Sequence, residues 1–342
     1  MVNEKCHWAG IDVGKHKMEV GLVLFGQESP LAVTNKIPVQ SFPRNPEGVQ
    51  QMYAWFQKKL ERTERQDLPV RSVIESTGKY SRELFDMIVT HGAMPHPAIV
   101  NPHRTVHFGK SLGLRTKTDH QDARILSLYG RERKPAAFTP LSPALQELRD
   151  LCRYRELLVR QQTAQKNLSE EGLQGAFLIK HQKQVLKNLD KQIAKLDKQI
   201  AAHIEKHDEL KIDSDMLQKI PGVGKVTACV VLSEAGDLRR FNKRNQIVAF
   251  AGLNPRQRQS GSSVMGRTQL SKTGSSRLRW ALYMASLSAI RVAGPLKDTY
   301  EKHVAAGKAG KCALGIVMRK LLVLMRSILV NNTKYDPDFN CG

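Results

Sequence analysis

Three short apolar stretches open the chain. Residues 8–13 are apolar apart from Asp12, residues 19–25 alternate in part, and residues 32–39 form a weaker third. A period of two predicts strands at all three. Asn45-Pro46-Glu47 is a helix start, and Met52, Trp55, Phe56 and Leu60 follow at the spacing of one helical face. Residues 70–75 predict a fourth strand, 81–91 a helix, 97–100 a fifth strand and 119–131 a third helix.

That order, β-β-β-α-β-α-β-α, predicts an α/β ribonuclease-H-like (RuvC-like) domain over residues 1–135. From Ser142-Pro143, an N-cap hydroxyl followed by proline at the first helical position, the chain turns charged and glutamine-rich. Leu186, Leu189, Ile193, Leu196 and Ile200 follow a 3-4-3-4 spacing, a short heptad seam within a helical coiled-coil region over 142–212. The seam fits an intramolecular helical hairpin or a dimerising coiled coil, and the polarity of these helices favours dimerisation.

Residues 213–332 predict a mostly α-helical C-terminal domain, followed by a tail over 333–342. Ser214 is the expected cap of a helix carrying Met216, Leu217 and Ile220. Ile220-Pro221-Gly222-Val223-Gly224-Lys225 then matches a helix-hairpin-helix turn. Its glycines permit the turn and let backbone N–H groups approach a phosphate at a helix N-terminus. The plain alternative is a packing joint between helices. Residues 252–267 read as a polar loop rich in Arg, Gly and Ser, and Ser275-Ser276 starts an apolar helix. A long loop so tightly flanked by apolar segments reads as functional.

Composition adds a partner. The 342 residues hold 54 Lys plus Arg against 32 Asp plus Glu, a formal net charge of +22. That excess attracts a polyanion, nucleic acid before an anionic membrane surface. The apolar run 313–318 is cut by Arg319-Lys320 and cannot span a bilayer, and residues 1–5 lack the apolar core of a signal peptide. Five scattered cysteines with no CxxC pair read as reduced thiols. Together these predict a cytoplasmic, nucleoid-associated protein with no membrane partner.

Four carboxylates carry the candidate chemistry. Asp12 interrupts an apolar strand, Glu75 ends another, and Asp119 and Asp122 lie at i, i+3 on a helix start. An unpaired charge in an apolar strand is costly, and converging carboxylates repel unless a cation neutralises them. Mg²⁺ (or Mn²⁺) acting on a phosphodiester meets that need. His7, His16 and His120 read as solvated rather than as ligands. Gly10-Ile11-Asp12-Val13-Gly14 also opens sugar-kinase and actin-like folds, but the second glycine-rich phosphate loop of that superfamily is missing from the sequence. Most hydroxyls in a serine-rich loop such as Ser260-Gly261-Ser262-Ser263 only satisfy backbone or water. A nucleophilic serine would need its phosphate screened, which Arg256, Arg258, Arg267 and Lys272 can do, and a base from another domain or subunit.

Taken in order, these motifs resemble the Piv-type DNA invertases and the related DEDD insertion-sequence transposases, also called bridge-RNA-guided recombinases. The motifs are Gly10-Ile11-Asp12, Ile74-Glu75-Ser76-Thr77-Gly78, Lys117-Thr118-Asp119-His120-Gln121-Asp122-Ala123-Arg124, Ile220-Pro221-Gly222-Val223-Gly224, Phe250-Ala251-Gly252-Leu253-Asn254-Pro255 and Ser260-Gly261-Ser262-Ser263. The resemblance implies that Asp12, Glu75, Asp119 and Asp122 hold Mg²⁺ and that Ser260 joins covalently to a DNA strand end. It also implies a homodimer or homotetramer in which half-sites meet, acting on donor and target DNA. In the insertion-sequence branch it implies a structured noncoding guide RNA as well. Candidate nucleic-acid contacts are Lys117, Arg124, Gly222, Gly224, Lys225, Arg256, Arg258, Arg267 and Lys272. Two other readings remain at this stage: a RuvC-like nuclease using metal-activated water without a covalent intermediate, and a non-enzymatic helix-hairpin-helix scaffold.

Overall fold

The computed structural model describes residues 5–26, 36–114, 118–170, 172, 174–260 and 264–336, without the side chains of 257–260 and 264–268. It divides into two compact units, Met1–Pro140 and Leu141–Gly342.

The first unit is built on a five-stranded mixed sheet. Its strands are β1 (His7–Val13), β2 (Lys17–Val23), β3 (Val39–Pro43), β4 (Val70–Glu75) and β5 (Ala98–Val100), in the order β3-β2-β1-β4-β5. β1, β2 and β3 pair antiparallel, while β4 lies parallel to both β1 and β5. Helices α1 (Pro46–Leu60) and α2 (Lys79–His91) cover one face, where Ile11, Val20, Met52, Phe56, Leu84 and Ile88 form the core. Helices α3 (Pro102–Ser111) and α4 (Asp119–Arg133) contribute to the second core, with Trp8, Val73, Phe108, Leu126 and Tyr129. This is the expected RuvC-like α/β arrangement.

Local chemistry sets the helix starts. The Asn45 side chain accepts from Gly48 N–H at 2.7 Å, with Pro46 at the first position of α1. Thr118 accepts from Gln121 N–H at 3.2 Å at the start of α4. Asn101-Pro102 caps α3 in the same manner, a helix missing from the expected order although its start signal stands in the sequence. The third strand also differs. It runs Val39–Pro43, with Pro43 opposite Lys17, rather than over 32–39. Ile37 lends that stretch its apolar character but is buried as an irregular residue in the second core, and residues 32–35 lie outside the described residues. The edge strand itself is mostly exposed and spaces its apolar Val39 and Phe42 three residues apart, so period-two alternation does not mark it.

The second unit begins with two long antiparallel helices, α5 (Pro143–Glu170) and α6 (Ala176–Lys206). Ser142 Oγ accepts from Leu145 N–H at 3.3 Å, as its cap role requires. Leu189 and Ile200 of the heptad seam are buried within this single chain. Arg155 grips Asp197 across the pair at 2.5 and 3.3 Å, and Gln162 bonds Asp190. An intramolecular hairpin therefore uses the seam that favoured a dimer in the sequence.

The remaining elements are α7 (Asp208–Gln218), α8 (Lys225–Ala235), α9 (Arg244–Phe250), the strands β6 (Pro255–Ser260) and β7 (Val264–Leu270), α10 (Ser276–Ala289), α11 (Pro295–Ala305) and α12 (Gly310–Asn331). Val317, Leu321, Leu322, Met325 and Ile328 of α12 form the middle of the core. Two expectations are corrected. Ser214 does not cap a helix: α7 already starts at Asp208, and Ser214 Oγ is buried and accepts from Gln218 Nε2 at 3.0 Å. The polar stretch 252–267 is not simply a loop, because β6 and β7 pair antiparallel from Pro255↔Leu270 to Ser260↔Val264. Arginine and glutamine in both strands hide the alternation there. Among the described residues no helix is long and apolar enough to cross a membrane. Cys6, Cys152, Cys229 and Cys312 are free, and Cys341 lies outside the described residues.

Candidate active site

Two glycines bring a helix onto the sheet. Gly10 and Gly21 are cross-strand partners in β1 and β2. A Cβ on Gly10 would lie 2.1 Å from Ser127 N and 2.4 Å from Ala123 O, and one on Gly21 would lie 2.8 Å from Ala123 O. The backbone of α4 thus rests directly on the two glycines. Side chains alternate along a strand, so Asp12, two residues beyond Gly10, faces the α4 side. Glu75 does too: Val73 pairs with Gly10, and Glu75 lies two residues on, at the end of the neighbouring parallel strand. Asp119 and Asp122 occupy the first turn of α4, just before Ala123. All four sequence-predicted carboxylates therefore belong to one side of the sheet, at the carboxyl ends of β1 and β4.

A fifth acid, Glu19, is the antiparallel partner of Asp12. It is only 2% exposed. Lys17 Nζ donates to its Oε1 at 2.8 Å, Ser41 Oγ donates to Oε2 at 2.5 Å, and His120 Nε2 lies 3.7 Å from Oε2. Burial pushes the Glu19 carboxyl up, but the bonds from Lys17 and Ser41 and the nearby His120 outweigh it and hold the group below its ordinary value. Lys17 also lies 4.0 Å from Asp119. Its ammonium is raised above the ordinary lysine value, first by the hydrogen bond and charge of Glu19 and further by Asp119 and Asp12. Lys17 is thus a cation supplied by the chain itself among the carboxylates. Sequence reasoning missed both residues. The only signal was a charged residue inside the otherwise apolar β2.

This donor set fits a hard divalent cation, since carboxylate oxygens are its preferred ligands and a positive charge already sits among them. Among the described residues no three His, Cys, Asp or Glu side chains stand close enough to hold one ion together. The acids share a face and do not close on one point.

His7 corrects the expectation of a solvated ring. It is fully buried; its Nδ1 accepts from Phe25 N–H at 3.0 Å, so Nε2 carries the proton and donates to the Arg65 carbonyl at 2.9 Å. His16 and His120 are exposed.

In the second unit, Ser260 ends β6 opposite Val264, at the tip of the hairpin. Ser262 and Ser263 lie outside the described residues, as do the side chains of Ser260, Arg258 and Arg267. The base of the hairpin is tied firmly. Ser271 N–H donates to the Asn254 carbonyl at 2.9 Å and Lys272 N–H to the Gly252 carbonyl at 3.1 Å. Arg279 Nη1 donates to the carbonyls of Ala251 and Gly274, each at 3.0 Å. Arg256 and Lys272 are exposed there.

Gly222 has φ +82°, and a Cβ would meet Ala285 O at 2.4 Å, so the helix-hairpin-helix turn packs on α10 and needs glycine. Gly224 and Lys225 are exposed at the start of α8. Arg124 is engaged inside its own unit, with Nε on the Ile37 carbonyl at 3.2 Å and Nη1 on Gln121 at 3.4 Å. Lys117 lies outside the described residues.

Comparison with known proteins agrees with this layout. Residues 9–178 match the DEDD transposase family of the IS110 type, and residues 214–301 match the transposase IS116/IS110/IS902 family. The pilin gene-inverting protein of Moraxella bovis is 29% identical over 334 residues, which is 96% of this chain and 97% of that protein. Its Moraxella lacunata counterpart matches over the same extent at 29%. The transposase for insertion sequence element IS1111A of Coxiella burnetii is 27% identical over 56% of this chain and 59% of its own length. With a RuvC-like unit followed in sequence by a largely helical one, the chain belongs to the Piv and IS110 family of DEDD transposases and DNA invertases, enzymes that recombine DNA.

Proposed function

We propose that the protein is a site-specific recombinase that cuts and rejoins DNA through a Ser260–DNA covalent intermediate, with Asp12, Glu75, Asp119 and Asp122 as its metal-binding half-site. The observation that carries this reading is the placement of all four acids on the α4 side of the sheet, fixed by Gly10 and Gly21. Mg²⁺ or Mn²⁺ held by these acids would screen phosphate charge and polarise the scissile phosphodiester. Ser260 Oγ would then form a bond to phosphorus as the P–O bond to the adjoining deoxyribose breaks, its proton passing to the departing oxygen. The free hydroxyl of another strand end would reverse the step and release the serine. Exposed Arg256 and Lys272 support charge screening beside the hairpin.

The acids and Ser260 belong to separate compact units of the chain. The proposal includes an assembly of two or four protomers in which the acids of one serve the serine of another, as the family resemblance implies. Likeness over nearly the whole chain to the pilin gene-inverting proteins supports inversion of a DNA segment at sites the protein itself reads. A second reading, insertion guided by a structured noncoding RNA, draws support from the matches to insertion-sequence transposases and from the +22 charge, which suits two polyanions at once.

The test is incubation with DNA of the native locus followed by denaturing electrophoresis. A protein–DNA adduct that needs Mg²⁺ and vanishes in Ser260→Ala, with DNA binding retained, supports the serine reading. Recombination by Ser260→Ala at the wild-type rate rejects it and leaves strand transfer to the acidic site alone. Sequencing of RNA that copurifies with the protein separates the guided reading from the self-reading one.

A further inference from the structure

Trp280, Tyr283 and Met284 stand on the solvent side of α10, exposed by 58%, 37% and 43%. Spacings of three and four residues make them neighbours in one stripe, which half-buried Leu287 and exposed Arg291 continue. The opposite side of the helix, with Leu278, Ala281, Leu282 and Ala285, is buried in the core. Among the described residues the stripe is therefore apolar surface left outside the core, and such a patch marks a contact surface.

Its chemistry selects the partner. α10 carries no carboxylate, and Lys272 and Arg291 are exposed before and after it. Exposed cations at that border favour an anionic partner over one of like charge. A polyanion with flat apolar faces suits the surface. Unpaired bases have such faces, and their stacking on aromatic side chains is tolerant of sequence. The helix-hairpin-helix turn packs on the other, buried side of the same helix, where Gly222 meets Ala285, and leaves the stripe uncovered.

We infer that Trp280 and Tyr283 form a stacking platform for the unpaired bases of a DNA strand opened during strand exchange. The platform rests on the family's action on DNA and is independent of Ser260 and of the metal. The chain offers a direct readout, because its other two tryptophans, Trp8 and Trp55, are buried at 2% and 9% exposure. Tryptophan fluorescence of the full-length protein is titrated in EDTA with an oligodeoxythymidine of about ten nucleotides, a typical span for one stacking surface. Single-stranded DNA is expected to quench the emission to saturation, whereas a duplex of equal length is not. Trp280→Ala and Tyr283→Ala should each weaken single-strand binding about tenfold, and Trp280→Phe, which keeps a ring, by no more than about threefold. Both positions are exposed, so melting temperatures should stay at the wild-type value.

Absent quenching, or unchanged affinity of Trp280→Ala, overturns the platform. Tighter binding of the RNA of the same sequence reassigns the surface to RNA. A fluorescence change that follows protein concentration alone reassigns it to contact between copies. Ser260→Ala should bind the single strand as wild type does, so failure of the serine reading leaves this result untouched.

Discussion

Glu19 lies directly across from Asp12 in the antiparallel register of β1 and β2. Two carboxylates facing each other across a strand pair destabilise a sheet unless cations intervene. Lys17 and His120 supply that charge, and Ser41 fixes the second oxygen of Glu19. Glu19 thus acts through its neighbours: it holds Lys17 beside Asp119 and sets the positive charge on the acidic face.

Glu19→Gln should keep a partner for Ser41 but release Lys17. Lys17 is 59% exposed and water screens its side of the pair, so the loss of stability should be small. A small loss is expected in chemical denaturation, with DNA affinity retained and strand transfer reduced. Wild-type stability together with wild-type strand transfer in this variant would remove Glu19 from the site.

Lys17→Met tests the ammonium as an internal stand-in for a metal ion. With the competing cation gone, Mg²⁺ should bind more tightly to the remaining carboxylates, and the metal-free protein should melt lower than wild type. Ligand linkage turns tighter binding into stabilisation, about 2.7 kcal/mol at a hundredfold excess over Kd. Titrating Mg²⁺ against melting temperature in both proteins, and in Asp119→Asn, checks this. Asp119→Asn should lose most of the Mg²⁺ response. An equal response in all three would mean the metal does not bind at these acids.

Gly10→Ala pushes a methyl into the backbone of α4, where Ser127 N would lie 2.1 Å away. Backbone cannot yield as a flexible side chain can, so the cost should reach or exceed the upper end of the roughly 1–3 kcal/mol typical of overpacking. Gly21→Ala, with 2.8 Å to Ala123 O, should cost less. Both variants lift Asp119 and Asp122 away from Asp12. Strand transfer is expected to fall further than DNA binding, measured side by side on the same preparations.

The sequence made some of this legible and concealed the rest for physical reasons. Asp12 and Glu75 announced themselves because a charge in an apolar strand is expensive, and both fall where the sheet places them. Glu19 carries the same signature in β2, but β2 alternates only in part, and its register with Asp12 depends on a pairing no local pattern contains. Ile37 drew the third strand toward the wrong residues, since a buried loop residue has the same apolarity as a strand residue. The β6–β7 hairpin stayed hidden because its strands are polar. The heptad seam was visible, but its partner was not: spacing cannot distinguish α5 of the same chain from α6 of another. Trp280 drew no notice in the sequence, because a helical period does not say which side faces the core.

Glu234 is expected to make the stability of the second unit fall in acid. Arg153 grips it through Nε at 2.7 Å and Nη2 at 3.1 Å, and Ser275, the cap of α10, donates to it at 3.3 Å. Burial pushes the carboxyl up, yet the Arg153 bonds and the charges of Arg153, Arg149 and Arg277 prevail and hold it below its ordinary value. An unfolded glutamate titrates near about 4.3. A group with a depressed folded value contributes stability that is complete above the unfolded value and lost as pH falls through the folded one. Glu234→Gln removes the carboxylate and leaves Arg153, whose side chain is 34% exposed, with only a neutral acceptor, a change of about 1.5–3 kcal/mol near neutral pH. The difference in unfolding free energy between wild type and Glu234→Gln should therefore be largest above about pH 5 and shrink steadily toward pH 3. Denaturant titrations of both proteins across that range measure it directly. A gap that stays constant with pH would mean that Glu234 keeps its proton state on unfolding and that the Arg153 bond contributes through packing alone.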